Sequence, residues 1–280
     1  MNLKKFLLLM LTLSLLVMAG CGGGETKTEP NAIKIGMLRY LNASEKEFNV
    51  FMEKIFETFN INTLPHEVVY FDNLNSMQMA LESGQIDEVS TYLCVSNYLI
   101  ARNPKIEVLE GHTLEFIDAF CLAMRENDVV LRTEIDGALS EMRESGLLDN
   151  LTREYINNLK GDTEPPAVDI ANIPGADTIK VAITGDLPPL DLVRADGKAA
   201  GFNTAVLAEI GRLLGKNIEL VQVDSSARAA ALTSGQVDVV FWAIVPVSEI
   251  IPANADKPAG VELTAPYYRG KIVHIGLKKD

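Results

Sequence analysis

The sequence predicts an α/β protein built from two lobes, each a mainly parallel sheet flanked by helices. Two observations carry this prediction. Short apolar segments that suit buried strands alternate with stretches of helical periodicity, and the same order of elements occurs twice along the chain. Parallel strands need helical crossovers between them, so a repeated strand–helix–strand order favours two parallel sheets.

Matched segments define the internal repeat. Residues 33–37 and 179–183 are short apolar runs that suit buried strands. Residues 79–87 match 230–238, each reading as a helix end, a glycine turn and the start of the next strand. The second half is five residues longer between these segments. Residues 187–198 account for the excess and are predicted to form a hairpin-like insert.

Helix signals follow the first strand of each half. Ser44, with Glu47 three residues on, has the capping-box pattern, and apolar residues then recur at helical spacing. In the second half, the apolar stripe of residues 202–214 ends at Gly215, where a helix C-cap favours glycine. Each half is therefore predicted to place a helix on its sheet after the first strand.

A linker divides the two halves. Residues 161–177 are rich in proline, glycine and aspartate and have no apolar period. The predicted first α/β lobe is therefore residues 33–160, and the predicted second α/β lobe is residues 178–280.

Residues 1–20 have the layout of an export leader. Lys4 and Lys5 precede an apolar run that is shorter than the roughly 20 residues of a membrane-spanning helix. The run ends in a segment resembling a bacterial lipobox, in which Cys21 is acylated, and residues 21–32 then read as a lipidated tether. An ordinary cleaved leader with a chance cysteine is the alternative. We expect an exported protein, lipid-anchored to the cell membrane or outer membrane and facing the periplasm or exterior.

The chain is acidic. Its formal net charge is −13, and removing residues 1–20, which hold two lysines and no acid, makes it −15. Such a surface repels nucleic acid and anionic headgroups, so no nucleic-acid partner is expected. The acidity favours either a cationic or zwitterionic ligand or simply solubility.

Metal and catalytic chemistry find little support in the sequence. His66, His112 and His274 are scattered without Cys or His at ligand spacing, so no metal site and no cofactor is predicted. Cys94 and Cys121 lie among apolar neighbours and suit either a disulfide or buried free thiols. The chain has no nucleophile elbow and no paired carboxylates at recognisable spacing, which favours a binding protein over an enzyme.

Several segments together resemble a known family. They are residues 186–190, 196–198, 201–203 and 232–238 in the second half, and 119–125 and 131–146 in the first. The former resemble the opening, and the latter the ending, of the extracellular solute-binding proteins of family 3, which are receptors of ABC importers. The resemblance implies a periplasmic-binding-protein-like fold, a small polar solute held between two lobes, and an ABC permease in the membrane as partner.

The order of these segments differs from the family. A family member runs through its first lobe, then its second lobe, and then returns to the closing helices of the first. Here the ending precedes the opening. Two interpretations remain open: two single lobes that face each other across a cleft, or a truncated tandem that a partner chain completes.

The ligand site is predicted at the carboxyl ends of the strands, where loops and helix N-termini meet. This rule nominates a mixture of polar and aromatic residues, which is what a small-molecule pocket requires. The predicted ligand-binding residues are Arg39, Tyr40, Asn42, Thr91, Tyr92, Ser96, Asp186, Leu190, Asn203, Trp242 and Tyr267.

Some of these residues have a second interpretation. Arg39 follows a buried strand, where a guanidinium suits a carboxylate ligand or else a surface ion pair. Trp242 suits the core as well as a stacking role, and Phe202 continues an apolar stripe that favours the core. Tyr267 and Tyr268 would point to opposite faces of a strand, so at most one meets the ligand.

One difference from the family restricts the class of ligand. Family members that bind amino acids generally carry a Thr-Pro-Glu-Arg segment, whose arginine grips the α-carboxylate. The corresponding segments here, 247–250 and 96–99, contain no arginine. This argues against an amino acid held in the usual way. The leading function is a lipid-anchored solute receptor. The alternatives are a sensor or interaction module with a degenerate cleft and, less favoured, a dehydratase-like enzyme.

Overall fold

The computed structural model describes residues 32–42, 44–59, 64–110, 116–161 and 163–278. The predicted leader, the lipidation site Cys21 and the tether up to residue 31 lie outside the described residues. Within the described ranges, no helix is both long and apolar enough to cross a membrane.

The first lobe forms around a parallel three-stranded core and is called the β1 lobe. Its elements are β1 (Ile33–Leu38), α1 (Glu45–Phe59), β2 (His66–Phe71), α2 (Leu74–Glu82), β3 (Glu88–Tyr92), α3 (Leu93–Arg102) and β4 (Ile106–Val108). The predicted capping box is confirmed at the start of α1: the Ser44 amide donates to Glu47 Oε2 at 2.9 Å, and the Glu47 amide donates to Ser44 Oγ at 3.2 Å. Asn73 caps α2 by accepting from the Ser76 amide at 2.8 Å.

The remaining elements form the β6 lobe and a strand that leaves it. They are β5 (Ile117–Arg125), α4 (Val129–Glu144), α5 (Leu147–Thr152), β6 (Thr178–Ile183), β7 (Asp186–Leu187), β8 (Asp191–Val193), β9 (Ala199–Ala200), α6 (Phe202–Leu214), β10 (Asn217–Gln222), α7 (Arg228–Thr233), β11 (Val239–Pro246), β12 (Val261–Leu263) and β13 (Tyr268–Leu277). The predicted insert is confirmed as a small antiparallel sheet of β7, β8 and β9. Gly215, at φ 63°, ends α6 as predicted.

One mixed sheet runs through both lobes in the order β10-β6-β11-β5-β13-β3-β1-β2, with β12 beside β5 and β4 beside β13. Strand β13 is shared between the lobes. Its first part, from Tyr268 to Lys271, pairs antiparallel with β5, and its later part, from Ile272 to Ile275, pairs antiparallel with β3. The predicted α/β class, with helices flanking the sheet, is confirmed; the sheet is mixed rather than mainly parallel, because β5, β12 and β13 pair antiparallel.

The lobes do not coincide with the predicted segments 33–160 and 178–280. Strand β5 comes from the first segment, yet it pairs with β11 of the second, and β13 comes from the second segment, yet it pairs with β3 of the first. Neither segment is a self-contained lobe. Read in the order second segment, then first, the elements run through the β6 lobe, the β1 lobe and back to the β6 lobe.

Residues 161–177, predicted as the link between two lobes, instead run along the β6 lobe. The Val168 amide donates to the Ala199 carbonyl at 2.9 Å. Asn217 fixes the later part of the segment, because its side chain accepts from the Ile173 amide at 2.7 Å and donates to the Ile173 carbonyl at 3.0 Å. The segment therefore joins the helices after β5 to β6 within one lobe.

Candidate functional site

The two lobes meet at the carboxyl ends of their parallel strands, and a small cavity lies between them. Tyr40, Thr91 and Tyr92 line it from the β1 lobe, while Leu187 and Trp242 line it from the β6 lobe. Four of the predicted ligand-binding residues are thus brought together across the cleft. The cavity volume is only about 20 Å³, room for a single water at roughly 10–15 Å³ each.

Trp242 fills much of this cleft. It lies at an irregularity in β11 between Val240 and Ala243, and its backbone has a φ of 62°, which a bulky residue rarely adopts. Its indole meets the Tyr92 ring edge-on at 6.1 Å. A strained backbone that aims a large ring at the opposite lobe is typical of a functional site.

Arg228 packs against the ring of Trp242 and is fully buried, at 1% exposure. Its guanidinium carbon lies 4.7 Å from the indole centroid, and Nη1 donates to the Trp242 carbonyl at 2.7 Å. Nη2 donates across the cleft to the Arg39 carbonyl at 3.0 Å. Burial lowers the pKa of the guanidinium. Arg228 was not among the predicted ligand-binding residues; its only sequence signal is a charged residue among the alanines at the start of α7.

Two aspartates of the β6 lobe also reach across the cleft. Asp186 Oδ2 accepts from the amide of Leu74, the first residue of α2, at 2.7 Å. Asp256 Oδ1 accepts from the amide of Asn42, just before α1, at 2.8 Å. A helix N-terminus and the loop that leads into one are natural sites for an anion. Here the protein's own carboxylates occupy both positions.

These bonds, with one between backbones, hold the lobes together. The Ser225 amide donates to the Asp72 carbonyl at 3.2 Å. We call the set the closing contacts: Asp186 to Leu74, Asp256 to Asn42, Arg228 to Arg39, and Ser225 to Asp72.

Three carboxyl groups lie around the cleft: Asp118 and Asp256 are buried, and Asp186 is half-buried. Burial raises the pKa of Asp118 to about 7 and the pKa values of Asp186 and Asp256 to about 6 each, against the opposing effect of their hydrogen bonds. Asp118 lies on β5, and its Oδ2 accepts from the Tyr92 hydroxyl at 3.0 Å. Asp256 and Asp118 were not among the predicted ligand-binding residues, because Asp118 lies near the amino end of β5 and Asp256 lies in the loop between β11 and β12, away from the carboxyl ends of the parallel strands.

Two further pockets open beside the central cavity. One lies between α1 and the sheet, on the far side of Tyr40, and has a cavity volume of about 50 Å³; we call it the α1 pocket. The other lies on the α3 side, between Tyr98 and residues 268–271, with a volume of about 430 Å³. The central cavity is therefore flanked by two larger pockets, sharing Tyr40 with the first and Tyr92 with the second.

The remaining predicted residues do not line the central cavity. Arg39 pairs through Nε with Asp72 at 3.6 Å, and its guanidinium carbon lies 5.4 Å from the centroid of the Tyr70 ring. Ser96, Leu190, Asn203 and Tyr267 are buried, as is Phe202, which confirms its predicted core role. The Ser96 hydroxyl donates to the Leu93 carbonyl at 2.9 Å, and the Tyr267 hydroxyl donates to Asn203 Oδ1 at 3.4 Å.

The described ranges contain neither a metal-ligand cluster nor a disulfide bond. No group of three or more His, Cys, Asp or Glu side chains is placed to hold a metal ion there. Cys94 and Cys121 are buried free thiols, which is one of the two alternatives left open by the sequence.

Comparison with known proteins finds a match within the second half of the chain. Residues 179–274 match the model of the bacterial extracellular solute-binding proteins, family 3, which confirms the predicted resemblance. A probable histidine-binding protein from Campylobacter jejuni is 28% identical over 103 residues. That alignment covers 37% of this chain and 37% of the relative, so the chain spans little more than a third of the length of this curated relative.

Solved structures resemble the chain only distantly. The ligand-binding component of an ABC-type import system from Staphylococcus aureus is 14% identical, with a TM-score of 0.44 over 88% of this chain and 66% of that one. The periplasmic aliphatic sulphonate binding protein SsuA from Escherichia coli is 14% identical, with a TM-score of 0.40 over 89% of this chain and 62% of that one.

Proposed function

With a segment of solute-binding family 3 in its second half, we propose that this protein captures a small polar solute between its two lobes outside the cell. The observation that carries the proposal is the cleft itself, where strand ends from both lobes converge on Tyr92 and Trp242. A solute that touches both lobes binds the closed form better than the open form, and so shifts the population toward closure.

Strands β5 and β13 suit a hinge for this motion. They connect the two lobes and pair with each other only through a short register, Tyr268 to Lys271 of β13 with residues 117–120 of β5. Hinges are a few residues at element ends that absorb the change in backbone angles. Movement at this pairing would part the closing contacts without unfolding either lobe.

We also propose an anchor and a partner. Export followed by acylation of Cys21 would tether the lobes to a membrane, with the glycine-rich segment after it as spacer. The closed form would then dock on an ABC permease. A tether raises the effective concentration of receptor at that permease, which supports lipid anchoring as part of an importer. We propose binding rather than catalysis for the cleft.

A thermal-shift screen tests solute capture directly. The chain from residue 25 onward is mixed with amino acids, peptides, polyamines and organic acids. A solute at 100 times its dissociation constant adds roughly 2.7 kcal/mol to the free energy of unfolding. A clear shift with one solute class supports the receptor function, and no shift with any class contradicts it.

A second function, an interaction module with a degenerate cleft, is favoured by a different observation. The central cavity holds about 20 Å³, and the protein's own side chains make the closing contacts. A module of this kind needs no solute. It predicts a protein that remains closed and unresponsive across the whole screen, whereas a receptor responds to at least one solute class.

A further inference from the structure

The α1 pocket is built differently from the central cavity. Phe48, Phe51 and Met52 on α1 form its apolar wall, facing the β1-lobe sheet. Its volume of about 50 Å³ corresponds to several waters, at roughly 10–15 Å³ for each. Residues from the β6 lobe, including Val247 and Asp256, complete it, so a molecule bound there would touch both lobes.

Two buried carboxyl groups face this apolar wall. Asp118 and Asp256 both line the α1 pocket, and each is only 3% exposed. Within the described ranges, neither forms an ion pair with a lysine or arginine. The other titratable side chains of the pocket are Tyr40 and His274, and His274 Nδ1 lies 2.8 Å from Glu88 Oε2. The positive charge of Arg228 lowers the pKa of Asp256, whereas in the described ranges no cation lowers the pKa of Asp118. Burying an unpaired charge is costly, so the pocket is complementary to a cation at Asp118.

The closing contacts argue against a carboxylate in the same place. Asp256 already accepts from the amide before α1, and Asp186 accepts from the first amide of α2. A carboxylate solute would have to displace one of these side chains and would then lie close to its charge. Like charges at this range in a buried site repel strongly.

We infer that the solute is a small amine with an apolar hydrocarbon body and no carboxylate. Its ammonium would bind at Asp118 and Asp256, and its hydrocarbon body would lie against α1. This inference rests on the proposed receptor function and specifies its substrate class. Charge-assisted hydrogen bonds from an ammonium would satisfy the two carboxylates, while the apolar body would cover Phe51 and Met52. Contact with both lobes would add to the closing contacts.

Isothermal titration with a matched ligand series tests the inference. Isoamylamine, leucine and isoamyl alcohol share one hydrocarbon body; leucine adds only the α-carboxylate, and the alcohol removes only the charge. The amine is expected to bind at least about tenfold more tightly than either relative, which corresponds to about 1.4 kcal/mol. Equal or tighter binding of leucine or the alcohol overturns the substrate class.

Substitutions inside and outside the α1 pocket test whether the amine binds there. Asp118→Asn and Phe51→Ala are each expected to weaken isoamylamine binding at least about tenfold. Asp149→Asn, at an exposed position of α5, is the matched control and should bind as the parent does. Phe51→Ala leaves β5 intact, so it remains informative if Asp118→Asn folds poorly. Parental affinity in a folded Phe51→Ala variant overturns the site.

Proton release gives an independent readout. Burial raises the pKa of Asp118 to about 7, so this carboxyl is partly protonated in the empty pocket at neutral pH. An ammonium beside it favours the ionised form, and the proton leaves on binding. The measured heat should then depend on the ionisation enthalpy of the buffer in the parent protein and not in Asp118→Asn. Buffer-independent heat in the parent overturns the assignment of Asp118.

The two proposals fail in different ways. If isoamylamine does not bind but another solute of the thermal-shift screen does, the substrate class is wrong and the receptor function stands. If no solute binds, both fail.

Discussion

Helices α1 and α6 follow the first strand of their respective lobes, yet they pack in opposite ways. Eight of the thirteen residues of α6 are buried, so its apolar face seals onto the β6-lobe sheet. In the fifteen-residue α1, only Ile55 is buried. The apolar face of α1 instead lines the α1 pocket, through Phe48, Phe51 and Met52.

This difference assigns different tasks to the two lobes. A helix that buries little apolar surface contributes little to stability and moves at low cost. The β6 lobe is therefore the rigid frame, with Arg228 and Trp242 fixed in its core. The β1 lobe carries the adjustable wall, which is where a solute would enter.

The largest expected effect comes from truncating equivalent aromatic residues in the two helices. Phe202→Ala in α6 should lower the free energy of unfolding by about 4 kcal/mol, because the side chain is fully buried. Phe48→Ala in α1 should cost about 1 kcal/mol, since its pocket is already part empty. Urea denaturation measures both. Equal losses would mean that the two helices are packed alike.

A smaller contrast is expected between two arginines that meet at the cleft. Arg228→Met removes a buried guanidinium and leaves the Trp242 carbonyl without its donor, so a loss of about 3 kcal/mol is expected. Arg39→Met breaks a half-exposed ion pair with Asp72 and should cost less than about 1 kcal/mol. If Arg228→Met is as mild as its control in urea denaturation, Arg228 is not part of the rigid frame.

The pH dependence of the free energy of unfolding tests the burial of Asp118. The folded-state pKa of Asp118, about 7, lies above its unfolded value, so the folded state binds the proton more tightly. Stability from this group therefore rises as pH falls through 7 toward the unfolded value near 4, and is lost at higher pH. Between about pH 8 and pH 5, the parent should gain roughly 2–3 kcal/mol relative to Asp118→Asn.

Denaturation of both proteins across this range measures the difference. Asp186 and Asp256 add to the parent's slope in the same direction, because burial raises their pKa values as well. The contribution of Asp186 is common to both proteins and cancels in the comparison, whereas Asp256 also raises the pKa of Asp118, so its coupling to Asp118 is part of the measured difference. Parallel pH profiles for the parent and Asp118→Asn would contradict the burial of this carboxyl.

The smallest expected effect comes from a single closing contact. Asp186→Ala leaves the Leu74 amide without its acceptor, and the expected loss of stability is about 1 kcal/mol. Asn73→Ala, which removes the cap within the same helix, is the matched control of similar size. Only the former should also loosen the contact between lobes, seen as faster hydrogen exchange at the Leu74 amide and the Ser225 amide.

Local features of the fold were predictable because their causes are local. The capping box at Ser44, the glycine end of α6 and the insert at residues 187–198 each depend on nearby residues. The exchange of β5 and β13 between segments was not predictable, since strand pairing at long range leaves no periodic signal. The family resemblance did contain a hint, because the ending preceded the opening.

The candidate site was predictable in part for the same reason. The expectation that ligands bind at the carboxyl ends of strands nominated Tyr40, Thr91, Tyr92 and Trp242, and the structure places all four around the central cavity. That expectation said nothing of Asp256, which lies in the loop between β11 and β12, or of Arg228, whose burial depends on contacts from both lobes. Such residues become visible only when the tertiary structure places them beside the cleft.

Opening and closing of the two lobes, with closure favoured by a solute, can be measured directly. Spin labels at Met79→Cys on α2 and Lys198→Cys in the β8–β9 turn, both exposed positions, would report the distance between the lobes. We predict two populations without solute, a larger short-distance population with isoamylamine, and a larger long-distance population when Asp186→Ala and Asp256→Ala are added. A single distance that responds to neither change would contradict the account.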